Sequence, residues 1–91
     1  MTAVRLVQLA RIFGLDPSTL DEAAARAAIS ARPRELAAAF FEEAAQNDDV
    51  TGAEGAQGYL DDRLAQFHDL ITPAAEAALR EKFGQRLKAW A

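Results

Sequence analysis

Residues 8–23 read QLARIFGLDPSTLDEA, and the punctuation inside this stretch decides the fold class. Just upstream and within it, Leu6, Leu9, Ile12 and Phe13 are spaced for one broad apolar face, so a first helix is expected over about residues 3–13. Gly14 stands where such a helix ends, because glycine enters the left-handed conformation past a C-terminus without steric cost. Asp16 followed by Pro17 is a restart signal: a capping acid, then a proline where no N–H is needed. A second helix is expected from there to about Ala31, with Leu20 and Ile29 giving its inner face bulk.

The same grammar continues outward. Pro33 disfavours helical geometry at Arg32 and suits the first turn of a third helix, about Pro33 to Gln46. That helix places Leu36 and Phe40 on one face, with Ala37, Phe41 and Ala44 beside them. The segment NDDVTGAEG, residues 47–55, is the main loop. Thr51 and Glu54 have capping-box spacing, which offers a start at Gly52. Gly52, Gly55 and Gly58 each weaken that turn by about 1 kcal/mol relative to alanine. Firm helix is therefore expected from near Ala56 to Ile71, with Leu60, Leu64, Phe67 and Ile71 as its stripe. Thr72 and Pro73 repeat the cap-then-proline signal and open a last helix carrying Leu79, Phe83, Leu87 and Trp90. Period-2 alternation and β-branched runs are both missing. The reading is a single all-α domain, residues 1–91: a compact bundle of four to five short helices.

Composition narrows the function classes. Of 91 residues, 51% are apolar, yet 22 of them are alanines, which favour helix but bury little area. A core this thin often gains burial from a partner or a second copy. There is no cysteine, which excludes disulfides, thiolate nucleophiles and sulfur-ligated metals. No apolar stretch is long enough to span a membrane, and Arg5 and Arg11 interrupt the N-terminal apolar pattern where a leader's apolar region would lie. A cytoplasmic location is expected, and the alanine and arginine usage suggests a bacterial source.

Charge is unevenly spread. Residues 1–34 hold five arginines against three acids; residues 35–76 hold ten acids against Arg63 alone; residues 77–91 return to a net of +3. The total is −4. This basic–acidic–basic order suits either head-to-tail contacts or internal neutralisation as the ends fold onto the middle.

The opening stretch also resembles the helix-turn-helix motif: Ala10, Phe13, Gly14, Leu15 and Leu20 fall on its small, turn and apolar positions, and Ala24 continues the inner face. The resemblance implies a helix-turn-helix-like angle between the first two helices and, in its usual setting, DNA reading. The outer surface of the second helix argues against the latter. Asp16, Asp21 and Glu22 would face phosphates, and no Arg, Lys, Gln or Asn sits on its first turn to read a base edge. Glu22 is placed four residues before Arg26 to pair with it.

Other constellations are weaker. His68 is the only histidine, with Leu64, Ala65, Ile71 and Thr72 at the neighbouring helical positions, so a surface or helix-end role is expected. Asp48, Asp49, Thr51 and Glu54 offer oxygen ligands without the alternation and terminal glutamate of a calcium loop. The three glycines follow no strand and precede no Lys-Ser/Thr, so they are no phosphate cradle. On a helix, glycines at i,i+3 either form a groove where another backbone approaches closely or simply fray the turn. With no nucleophile beside a base, no enzyme activity is expected. No cofactor or metal is implied.

Phe40, Phe41 and Trp90 either wrap the small core or are the candidate interface residues. Adjacent phenylalanines point about 100° apart on a helix, and Trp90 lies one residue from the chain end. Aromatic residues anchor interfaces. The expected function is a non-catalytic protein–protein interaction module, an adaptor, regulator or complex subunit, that binds another protein or a second copy of itself. Nucleic acid is the less favoured partner. In that alternative, a transcriptional regulator, Arg5, Arg11, Arg26, Arg32 and Arg34 would contact phosphates.

Overall fold

A computed structural model describes residues 4–89. Five α-helices and one short 3-10 turn make up the regular structure of these residues: α1 Val4–Phe13, α2 Glu22–Ala31, α3 Pro33–Gln46, α4 Gly52–Gln66, the 3-10 turn His68–Leu70, and α5 Pro73–Leu87. The all-α bundle read from the sequence is the observed architecture.

Helix α3 is the centre of the bundle and packs against α1, α2, α4 and α5. Its Leu36, Ala37, Phe40 and Ala44 are buried. Around them gather Leu9 and Phe13 from α1, Ile29 from α2, Leu60 and Leu64 from α4, Phe67 and Leu70 from the turn region, and Leu79 and Phe83 from α5. Every buried side chain among the described residues is apolar. Phe40 stacks on Phe67 with ring centroids 6.1 Å apart.

Proline sets two helix starts as expected. Pro33 opens α3, and Pro73 opens α5 behind Thr72, whose hydroxyl accepts from the Ala75 N–H at 3.2 Å. Gly14 has φ +69°, and the Leu15 N–H reaches back to the Ala10 carbonyl at 2.8 Å, closing α1 with the six-to-one bond of a Schellman motif.

The second restart falls elsewhere. Asp16 and Pro17 do not begin α2. The Asp16 carboxylate accepts from the Ser18 N–H and hydroxyl at 2.9 and 2.8 Å, and the Thr19 hydroxyl donates to the Asp16 carbonyl, so residues 16–19 form a local turn. These side-chain bonds offer the backbone an alternative to helix. Asp21 is the cap instead, accepting from the Ala24 N–H at 2.8 Å. The connection over residues 14–21 is longer than the three or four residues typical of a helix-turn-helix. Leu15 and Ala24 are exposed, and the inner face runs through Leu20, Ala25 and Ile29.

Two further boundaries shift. Helix α4 begins at Gly52, ahead of Ala56, and Thr51 makes no side-chain cap bond, so the capping box is not formed. Gly52 enters at φ +72°, a conformation that favours glycine. At its far end α4 stops at Gln66 rather than Ile71, and the following turn buries Leu70 while leaving Asp69 on the surface.

Candidate functional site

The two flanks of α3 carry different chemistry. Toward α4, Glu43 is the hub of a satisfied polar network. Its Oε2 accepts from Tyr59 Oη at 3.0 Å, from Arg63 Nη2 at 2.8 Å and from Arg63 Nε at 3.2 Å. Arg63 Nη1 also donates to Gln66 Oε1. The Arg63 guanidinium lies over the Tyr59 and Phe40 rings, 5.6 and 5.8 Å from their centroids. Burial works against the charge on Arg63, but the bonds to Glu43 and Tyr59 outweigh it, and its pKa ends above the ordinary value. Burial, then the bond to Glu43, pushes the Tyr59 phenol up. This flank closes on itself.

Toward α5 the arrangement is open. Arg34, Ala38, Phe41 and Ala45, at steps of four, three and four, form one stripe along α3. Ala78, Lys82 and Arg86, at steps of four, form the facing stripe on α5. The stripes meet at both ends. Arg34 and Ala78 line an open cleft of about 460 Å³ with the rest of residues 30–35, and Phe41 packs edge-to-face on Phe83 beneath the Arg86 guanidinium. Phe41, Lys82 and Arg86 are half-buried. Arg34, Lys82 and Arg86 form no ion pair among the described residues, and Arg86 Nε is shielded from solvent without a hydrogen-bond partner.

The aromatic candidates therefore separate. Phe40 is 1% exposed and belongs to the core, so in the folded chain it anchors no outer surface. Phe41 is half-buried at the seam, packed on Phe83 beneath Arg86. Trp90 lies outside the described residues.

Three of the five candidate phosphate-binding arginines, Arg5, Arg26 and Arg32, are engaged within the fold. Arg5 grips Asp69 with two bonds of 2.6 and 2.8 Å and reaches Glu22 at 3.4 Å. Arg5 holds the Asp69 carboxyl well below its ordinary range, at about 2. Arg26 donates to the Asp69 carbonyl rather than pairing with Glu22, which is already within reach of Arg5. Arg32 pairs with Glu35 at 2.6 Å and stacks on Phe13. Arg11 and Arg34 are exposed and form no ion pair among the described residues. Arg5 to Asp69 and Arg80 to Asp61 join the basic ends to the acidic middle, so internal neutralisation accounts for part of the charge order.

His68 is exposed at the end of α4, its Nδ1 3.1 Å from the Ala65 carbonyl oxygen. No group of three His, Asp or Glu side chains among the described residues is placed to hold a metal ion, and no helix there is long and apolar enough to cross a membrane. Sequence reading passed over Lys82, Arg86, Glu43 and Tyr59. The four-residue spacing of Ala78, Lys82 and Arg86 was the available signal, hidden because basic residues in a last turn usually only complement the helix dipole. No known protein family, curated protein or solved structure matches the chain.

Proposed function

We propose that this chain is a non-catalytic interaction module that binds protein through the seam between α3 and α5. One observation carries the reading. The central helix turns a half-buried phenylalanine and Arg34, which has no ion pair among the described residues, toward a stripe holding Lys82 and Arg86, on a chain whose other cations are mostly engaged internally. Phe41 supplies apolar contact, and Arg34, Lys82 and Arg86 supply charge that selects and steers an acidic surface. The nucleic-acid alternative loses Arg5, Arg26 and Arg32 to contacts within the fold.

The experiment is the native mass of the protein purified with whatever accompanies it, compared with Phe41→Ala combined with Arg34→Glu. A mass above 9.8 kDa that falls to the monomer in the variant, with the helical circular dichroism unchanged, supports the reading. A native protein that is a strict monomer and carries no companion overturns it.

A further inference from the structure

The acidic face that fits this seam is present on the chain itself. On α4, Glu54, Gly58 and Asp62 follow at steps of four on the side away from the buried Ala56, Leu60 and Leu64, and all three are exposed. Ala65 continues the same face. Neither Glu54 nor Asp62 forms an ion pair among the described residues, whereas the adjacent Asp61 is held by Arg80 at 3.0 Å. The one base on α4, Arg63, is turned to Glu43. The outward face of α4 therefore carries acids and no base of its own.

Gly58 is the second observation. Glycine is the poorest helix former after proline, yet Gly58 sits in mid-helix, and a Cβ added there meets nothing within 4 Å. Packing inside the chain gives no reason for its being glycine. The same holds for Gly84 on α5, but Gly58 lies between two exposed carboxylates, where a missing side chain would let a neighbouring helix come near. The alanines Ala38, Ala45 and Ala78 at the seam are small in the same way.

Spacing agrees as well. Glu54 and Asp62 are eight residues apart, about 12 Å along the helix axis, and Arg34 and Phe41, which marks the level of Arg86, are about 10.5 Å apart. Two acids spaced so along one helix can meet the cations at the two ends of the seam.

We infer that the seam between α3 and α5 of one copy receives the Glu54–Gly58–Asp62 face of α4 from a second copy, head to tail. This rests on the interaction reading above and names its partner. The two surfaces are different, so the contact is heterologous: each copy keeps one free acceptor and one free donor, and association continues into a ring or an open chain.

The test uses the full chain in two half-blocked forms, Arg34→Glu with Lys82→Glu, and Glu54→Lys with Asp62→Lys. The wild type gains mass with concentration and loses it with added salt, because the contact is between opposite charges. Each variant alone is monomeric. Mixed in equal amounts, they associate again, because one keeps its acidic face, the other keeps its seam, and the two reversed surfaces are themselves of opposite charge. Gly58→Ala raises the melting temperature yet weakens association several-fold, a pair of opposite effects that a purely internal role would not produce. If a charge-reversed pair fails to fold by circular dichroism, Arg34→Gln with Lys82→Gln and Glu54→Gln with Asp62→Asn give the same pattern at smaller amplitude.

A wild type that stays monomeric at millimolar concentration and low salt overturns the inference, as does a mixture that stays monomeric or variants that associate like the wild type. The interaction reading fails separately. If the wild type is monomeric alone but a native complex with another protein is lost in the Arg34→Glu, Lys82→Glu form, only the second-copy partner is wrong. If that complex is indifferent to the seam, both are.

Discussion

Helix α3 has two flanks, and they spend their polar groups in opposite ways. On the α4 side, Glu43, Tyr59, Arg63 and Gln66 satisfy one another and cover Phe40. On the α5 side, Arg86 lies over Phe41, and Arg34, Lys82 and Arg86 form no ion pair among the described residues. Phe40 and Phe41 are sequence neighbours, so the local sequence around the two rings is nearly the same. Their roles differ because successive helical positions point about 100° apart. One phenylalanine turns into the core and the other reaches the seam. A charged group next to an aromatic residue therefore says little until the partner helix is known. With an acid opposite it becomes a strut; with only a lysine and a second arginine opposite it stays available.

This contrast can be broken most sharply at Phe40. Phe40→Ala should cost about 3–5 kcal/mol, because it empties a fully buried site stacked on Phe67. Phe41→Ala should cost clearly less, since part of its ring already meets solvent. Denaturant titration of both variants measures the difference, and equal losses would erase the distinction between the flanks.

Glu43→Gln probes the closed flank directly. It removes the charge that Arg63 and Tyr59 share, and about 1–2 kcal/mol of stability should go with it. The reversal Arg34→Glu on the open flank should change stability by no more than about 0.5 kcal/mol. Thermal melts of the two variants side by side rank them, and the reverse order would show that the seam is structural.

The caps permit a comparison of similar size. Asp21→Ala should cost about 1 kcal/mol through loss of the α2 cap, whereas Asp16→Ala, which removes only a surface turn bond, should cost less. Circular dichroism with denaturant distinguishes them.

The smallest expected effect is a pH dependence. Asp69 titrates at about 2 in the fold, against 3.8 ordinarily, because Arg5 holds its charged form. The unfolded chain thus takes up this proton first. The stabilisation is complete above about pH 4 and disappears as pH falls through 2. Melting temperatures between pH 5 and 2 should decline less steeply in Asp69→Asn than in the wild type. Parallel curves would show that the Arg5 contact contributes nothing in solution.

Much of this fold was legible in the sequence wherever a local rule had no rival. Pro33 and Pro73 open helices as proline at a first turn does, and Gly14 closes one. Asp16-Pro17 looks like Thr72-Pro73, yet only the latter starts a helix. After Pro73 come alanines, which have no side-chain bonds to offer. After Pro17 come Ser18 and Thr19, whose hydroxyls tie the chain into a turn with Asp16. Thr51 failed as a cap for a related reason: its side chain makes no bond to the helix, and Gly52 carries the entry instead.

The seam was only half legible. Phe41 stood out as one of a pair, and Arg34 as one of a basic group. What joins them to Lys82 and Arg86 is the register of α5 against α3, set by long-range packing of Leu79 and Phe83 on the central helix. Sequence periodicity gives the faces of each helix but not which faces meet. The same limit hid Glu43 from Tyr59 and Arg63, which follow it by 16 and 20 residues.

The most direct measurement of the central claim is a set of amide nuclear magnetic resonance spectra recorded from micromolar to millimolar protein. The account predicts concentration-dependent shifts at Ala38, Phe41, Ala45 and Lys82, together with Glu54, Gly58 and Asp62, while Glu43, Tyr59 and Arg63 hold their positions. Shifts concentrated on the Glu43–Tyr59–Arg63 flank, or spectra that do not change with concentration at all, would contradict it.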